Sequence, residues 1–123
     1  GDVERAGADM KPQRLQLSRR RGFRLQAASL ALNGLPAVNV ARPSRWGNPW
    51  KVAKRLPAML GMGEVEDRDE AVRRYSANLE GWTLHGMTFI EAVRRELRGK
   101  NLACFCPPDQ PCHADVLLRI ANE

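Results

Sequence analysis

Three cysteines and a histidine lie close together near the C-terminus, in the run Cys-Phe-Cys-Pro-Pro-Asp-Gln-Pro-Cys-His. If this run begins as a strand, Cys104 and Cys106 point to the same face of it. Cys112 and His113 then start a helix, whose amides can hold an anion and whose dipole lowers the pKa of a thiol. We therefore predict a catalytic or ligand-binding group of Cys112 and His113, with Asp109 as a base or a helix cap.

Two other interpretations of the same run stay open. In the first, Cys104, Cys106, Cys112 and His113 are four zinc ligands. The spacing is poor for this, because adjacent Cys112 and His113 hardly reach one ion together and no C-x2-C pair is present. In the second, the cysteines are small buried hydrophobic residues and His113 caps a helix. The leading hypothesis thus needs no cofactor, and zinc is the alternative.

A second segment whose residue types are suited to ligand binding is Arg42-Pro-Ser-Arg-Trp-Gly-Asn-Pro-Trp50. Its arginines offer paired donors for phosphate or carboxylate, and its tryptophans offer flat surfaces for stacking a base. Its glycine permits close backbone approach, and its asparagine can read a base edge. The predicted ligand-binding residues are Arg42, Ser44, Arg45, Trp46, Gly47 and Asn48. The structural alternative is an arginine that ties the loop through carbonyl groups while Trp46 packs in a core.

The charge of the chain is distributed unevenly. Residues 1–55 hold 12 basic and 3 acidic side chains, whereas residues 56–123 hold 8 and 11. A positive field over the N-terminal half favours a phosphate-bearing partner, either a small molecule such as a nucleotide or a nucleic acid. A basic patch of Arg19, Arg20, Arg21 and Arg24 gives the alternative function, a nucleic-acid-binding module that follows a phosphate backbone. A merely solvated basic surface would look the same.

Length and cysteine content bound the class of protein. The 123 residues fit one domain. Three cysteines within nine positions are not a disulfide framework, so we expect reduced thiols and a cytoplasmic location. No apolar run approaches the roughly 20 residues of a membrane helix, so we expect no membrane partner. Residues 1–12 are polar and without periodicity, which predicts a flexible leader before a domain over residues 13–123.

The hydrophobic pattern indicates which elements carry the two motifs. Strands are predicted over 14–18, 37–41 and 101–106, and helices over 67–82, from residue 88 to about 98, and over 112–121. Residues 26–32 fit a short helix or a loop, 43–66 are loop-rich, and His85 is interpreted as a structural loop residue. This order predicts an α/β fold, three-layer-like and Rossmann-like, with a short, mainly parallel sheet flanked by helices. Because both motifs follow strands, such a sheet would bring them to one edge.

The segments Arg42–Trp50 and Gly99–Leu118 together resemble the DUF4326 family of small proteins from bacteria and their phages. The resemblance covers roughly residues 11–122. It implies an intracellular, single-domain α/β protein in which the two motifs act together. The family's activity is not established, so the resemblance does not decide whether the chain is an enzyme.

Overall fold

The computed structural model describes residues 11–52, 63–84 and 86–123. The predicted leader falls mostly on residues 1–10, outside the described residues, as do residues 53–62 of the loop-rich segment and His85. The strands are β1 (Arg14–Gln16), β2 (Ala37–Asn39), β3 (Lys51–Val52), β4 (Glu64–Val65), β5 (Thr83–Leu84), β6 (Met87–Thr88) and β7 (Asn101–Cys104). The helices are α1 (Leu25–Asn33), α2 (Arg68–Asn78), α3 (Phe89–Leu97) and α4 (His113–Ala121).

The central sheet has three parallel strands in the order β1-β7-β2. The cysteine-bearing strand β7 lies in the middle, with Leu102 opposite both Arg14 of β1 and Val38 of β2. Two short pairs accompany this sheet: β3 with β4 is parallel, and β5 with β6 is antiparallel. The prediction of an α/β fold with a short, mainly parallel sheet is confirmed.

Local sequence signals explain where the helices begin. The Asp67 side chain accepts a hydrogen bond from the Glu70 amide at 2.9 Å and caps α2. Thr88 caps α3 in the same way through the Glu91 amide, at 3.1 Å. The predicted helix over 67–82 is shorter than expected, because α2 ends at Asn78 and a 3-10 turn, Leu79–Gly81, follows. None of the described helices is long and apolar enough to cross a bilayer.

Aromatic side chains fasten the loop after β2 to the core. Tyr75 of α2 is fully buried, and its hydroxyl donates to the Trp46 carbonyl at 2.8 Å. The Trp46 ring is only 3% exposed and packs against Phe89, with ring centroids 5.6 Å apart. The structural alternative for Trp46 is therefore correct, because a buried ring offers no surface for stacking a base.

A buried polar network joins α1 to the sheet. Asn101, the first residue of β7, is fully buried and donates to Ser29 at 2.7 Å and to Asn33 at 2.8 Å. Its Oδ1 accepts from the Asn33 side chain at 2.9 Å and from the Gln13 backbone amide at 2.8 Å. All four hydrogen-bonding positions of the Asn101 amide are thus filled, which fixes α1 and the start of β1 relative to the central strand.

Candidate functional site

A pocket of about 340 Å³ lies at the carboxyl ends of the three parallel strands. Arg19 reaches it from the segment after β1, Arg42 from the segment after β2, and Cys104 from the end of β7. The strand directions thus bring the two sequence motifs to one cavity, as the expected topology requires. The described residues that line it are Arg19, Ala41, Arg42, Asn48, Trp50, Val52, Arg68, Ala71, Val72, Cys104, Phe105, Cys106, Pro111, Cys112 and His113.

The charged side chains among the described residues of the pocket lining are all positive. Arg19, Arg42 and Arg68 contribute three guanidinium groups, and no carboxylate is among the described lining residues. The Arg19 guanidinium lies 4.0 Å from the centre of the Phe105 ring, a cation–π contact that orients it. Within the described part of the chain, Arg19 and Arg68 make no ion pair. Their positive charge is therefore available to an anion in the pocket.

Arg42 has a structural task besides lining the pocket. Its Nη1 donates to the Asn48 carbonyl at 3.0 Å and to the Trp50 carbonyl at 3.2 Å. Asn48 is committed as well, since its Nδ2 donates to the Ala71 carbonyl at 3.0 Å and its Oδ1 accepts from the Trp50 amide at 2.9 Å. Asn48 thus holds the loop against α2, with one donor and one acceptor position of its amide bonded to the backbone.

Other predicted ligand-binding residues lie outside the pocket lining. Arg45 pairs with Glu96 of α3 at 3.1 Å, and its guanidinium lies 5.3 Å from the centre of the Trp46 ring. The Ser44 hydroxyl is buried without a hydrogen-bond partner among the described residues. Arg20, Arg21 and Arg24 are exposed and do not line the cavity. The nucleic-acid alternative stays a prediction.

Gly47 lies against the backbone of Arg42, as its predicted close approach requires. A Cβ atom built on Gly47 would come within 3.0 Å of the Arg42 Cα and Cγ atoms. We predict that Gly47→Ala displaces Arg42 and lowers the free energy of unfolding by about 1–3 kcal/mol, the usual cost of overpacking. Urea denaturation measures this. Gly81→Ala is the matched control, because nothing lies within 4 Å of a Cβ atom there; equal effects of the two substitutions would contradict the prediction.

The three cysteine sulfurs form one cluster beside the pocket. All lie within 4.8 Å of one another, and the Sγ atoms of Cys104 and Cys106 are 3.7 Å apart. Hydrogen bonds from the Cys106 and Cys112 thiols lower the pKa of Cys104. The same contacts with Cys104, together with burial, raise the pKa of Cys112. This direction is opposite to the lowering that we expected from the helix amides, because Cys112 is 1% exposed and lies beside Cys104.

The α4 N-terminus is capped by Cys112 rather than by Asp109. Cys112 Sγ accepts from the Ala114 amide at 3.5 Å, and the Cys112 amide donates to Asp115 Oδ2 at 3.3 Å. These bonds occupy amides that we expected to face an anion. Asp109 is exposed in the turn and does not line the pocket. Pro111 lies one residue before the cap Cys112, and not at the first position of the helix, where proline is common.

His113 connects α4 to the end of β2. Its Nε2 donates to the Val40 carbonyl at 2.7 Å, which leaves Nδ1 as the unprotonated nitrogen, 3.7 Å from Cys112 Sγ. Burial lowers the pKa of His113, so the neutral ring is the form that prevails at neutral pH. The ring also packs 5.1 Å from that of Tyr75, centre to centre. His113 is thus a neutral, fixed side chain at the wall of the pocket.

Two arginines at the site were missed by reasoning from the sequence. Arg68 is the first residue of α2, and no local pattern indicates that this position faces the cysteines. Arg14 of β1 clamps the turn between the cysteines: its Nη2 donates to the carbonyls of Pro107 at 3.0 Å and Pro108 at 2.7 Å, and its Nη1 to Asp115 at 2.8 Å. Only the pairing of β1 with β7 brings Arg14 to this turn.

The comparison with protein families gives one match that spans most of the chain. A model described as a domain of unknown function (DUF4326) matches residues 23–123. The chain belongs to the DUF4326 family. The DUF4326 match contains both motifs but begins at Phe23, later than the resemblance over residues 11–122 suggests, so that β1 and Arg19 precede it. No curated protein and no solved structure matches the chain.

Proposed function

We propose that this DUF4326 protein binds a phosphate-bearing, nucleotide-like small molecule in the pocket at the carboxyl end of its parallel sheet. The observation that carries the proposal is the lining: three arginines from three separate elements and no carboxylate among the described residues. Guanidinium groups bind phosphate oxygens through paired, charge-assisted hydrogen bonds. A volume of about 340 Å³ suits a ligand of nucleotide size.

The position of the pocket supports the same proposal. In open α/β sheets, ligands bind beyond the carboxyl ends of the strands. We infer that the sheet is a small Rossmann-like sheet with only three strands. Arg19 and Arg42 follow β1 and β2, Cys104 ends β7, and all three line the pocket at that edge. The free thiols of the described chain also support a reducing, cytoplasmic setting, where phosphorylated metabolites are abundant.

An aromatic side chain next to the arginines is the reason that we propose a ligand with a base as well as a phosphate. Trp50 lines the pocket, is half-buried and stacks on Trp82, with ring centroids 6.1 Å apart at 18°. A ring held in this way offers an apolar surface for a base, and one such stack contributes about 1–3 kcal/mol. Trp50 thus takes the stacking role that the buried Trp46 cannot fill.

Calorimetric titration with pyrophosphate and with ADP, in the presence of a chelator, tests the proposal. We expect Arg19→Gln and Arg68→Gln each to weaken pyrophosphate binding about tenfold, because each removes one charge-assisted contact. Arg42 is unsuitable for this test, since it also holds the loop. We expect Trp50→Leu to weaken ADP binding and to leave pyrophosphate binding nearly unchanged.

The control is Arg95→Gln, which removes an exposed arginine of α3 outside the pocket lining. It changes the net charge by the same amount as the two test substitutions, so it separates a local contact from the general field of the protein. If neither anion binds the wild-type protein, or if Arg95→Gln weakens binding as much as Arg68→Gln, the pocket is not the phosphate site.

A further inference from the structure

The spacing of the three sulfur atoms fits the coordination shell of a thiophilic metal ion. Zinc bonds to cysteine sulfur at about 2.3 Å, so two sulfurs in a tetrahedral site lie about 3.8 Å apart. Cys104 and Cys106 Sγ are 3.7 Å apart, and Cys112 Sγ lies within 4.8 Å of both. The poor linear spacing of the motif therefore does not exclude a metal site, because the turn folds the third cysteine back onto the first two.

The backbone that presents these sulfurs is held by contacts of its own. Cys104 ends the central strand β7, and Cys112 caps α4, with both side chains buried. The turn between them is clamped by Arg14, which bonds two of its carbonyls and Asp115 of α4. The cluster is thus arranged before any ion arrives, which lowers the ordering cost of binding.

His113 occupies a different place from the one that a closed four-ligand site requires. Its Nδ1 lies 3.7 Å from Cys112 Sγ but is not part of the group of mutually close ligand atoms. Its Nε2 is bonded to the Val40 carbonyl, which fixes the ring. All three cysteines line the pocket. Sites with three protein ligands and one position open to solvent or substrate are the form that catalytic zinc takes, whereas structural zinc is closed by four.

We propose that Cys104, Cys106 and Cys112 bind one Zn²⁺ ion as three thiolates, with the fourth coordination position open to the arginine-lined pocket. This proposal differs from the four-ligand zinc alternative in that His113 lies beside the ion and does not bind it. The proposal does not depend on the phosphate ligand, since it rests on the sulfur positions alone.

The test is zinc stoichiometry and affinity, measured by chelator competition on the full chain in a phosphate-free buffer with a non-thiol reductant. We expect one ion per chain for the wild type. We expect Cys104→Ser, Cys106→Ser and Cys112→Ser each to weaken zinc binding more than about 100-fold, because even outer-shell changes at zinc sites cost 10–100-fold. Cys112→Ser keeps a good helix cap, so circular dichroism should show that it remains folded.

One further variant and one spectrum decide between the open site and a closed four-ligand site. We expect His113→Gln to retain one equivalent of zinc, and the spectrum of the Co²⁺-loaded protein to change when cyanide is added, as an open position allows. A loss of zinc with His113→Gln equal to that of the cysteine variants would show a closed four-ligand site and overturn the open position. If reduced wild-type protein binds no zinc, or the serine variants bind it as tightly, the metal site is refuted, whatever the pyrophosphate titration shows.

Discussion

Replacing Asn101 with alanine is expected to lower the free energy of unfolding by about 3–5 kcal/mol, as estimated from lost burial and from the four buried or part-buried hydrogen bonds that disappear. The substitution leaves the Gln13 backbone amide without its partner and takes one bond from Ser29 and two from Asn33, whose remaining bonds go to the Leu35 and Lys11 backbone. Domains of this size have 5–15 kcal/mol of stability in total. We therefore expect Asn101→Ala to populate unfolded chains measurably at 37 °C, as seen by urea denaturation followed through tryptophan fluorescence.

Two matched variants separate the effect of the lost hydrogen bonds from the effect of the lost side-chain volume. Asn101→Asp keeps the shape of the side chain but has no donor for Ser29 or for Asn33 Oδ1, so it should destabilise about as much as alanine. Asn78→Ala removes an exposed asparagine whose side chain donates to the Arg74 carbonyl, and it should cost less than about 0.5 kcal/mol. A mild effect of Asn101→Asp would show that volume, and not hydrogen bonding, sets the stability at this position.

Replacing His113 with alanine should cost about 2–4 kcal/mol in metal-free protein, measured by urea denaturation with a chelator present. It leaves the Val40 carbonyl unpaired and opens a cavity beside Tyr75. Because Val40 precedes the Arg42 loop, we also expect the loss of this bond to loosen the loop. Faster hydrogen exchange of the amides in residues 42–50 would report that loosening.

Glutamine at the same position is the informative control. The Nε2 of glutamine reaches nearly as far as the imidazole Nε2, so His113→Gln should keep the bond to Val40 and recover roughly half of the lost stability. If His113→Gln is as unstable as His113→Ala, the ring packing against Tyr75 is the main contribution and the hydrogen bond is secondary.

The parallel sheet and its three main strands were predictable because strong local signals in the sequence mark where the strands and helices begin and end. Leu102 and Ala103 form an apolar run closed by the prolines after Cys106, and Asp67 and Thr88 give clear helix starts. The position of the pocket followed from strand direction alone, since parallel strands must end at the same edge. These inferences depend on residues near one another in sequence, which is where sequence patterns carry information.

The detailed chemistry of the site depends on contacts between distant segments and was not predictable. The pKa of Cys112 is raised, and not lowered as its place at a helix start had suggested, because the turn brings Cys104 against it. Asn48 looks like a recognition residue in sequence, yet it bonds Ala71 across 23 positions. Arg68 and Arg14 enter the site through tertiary packing. Residue types indicated a site, whereas the roles of individual side chains required the fold.

The sheet order has a consequence for how the chain folds. β1 and β2 do not pair with each other; each pairs with β7, so Leu15 meets Ala103 and Val38 meets Leu102. These pairings have high contact order, and non-local parallel pairing slows folding because distant segments must meet first. During synthesis, the two N-terminal strands emerge long before the strand that joins them. The sheet, and with it the pocket, can form only once residue 104 has left the ribosome, and until then β1 and β2 lack the strand with which both pair.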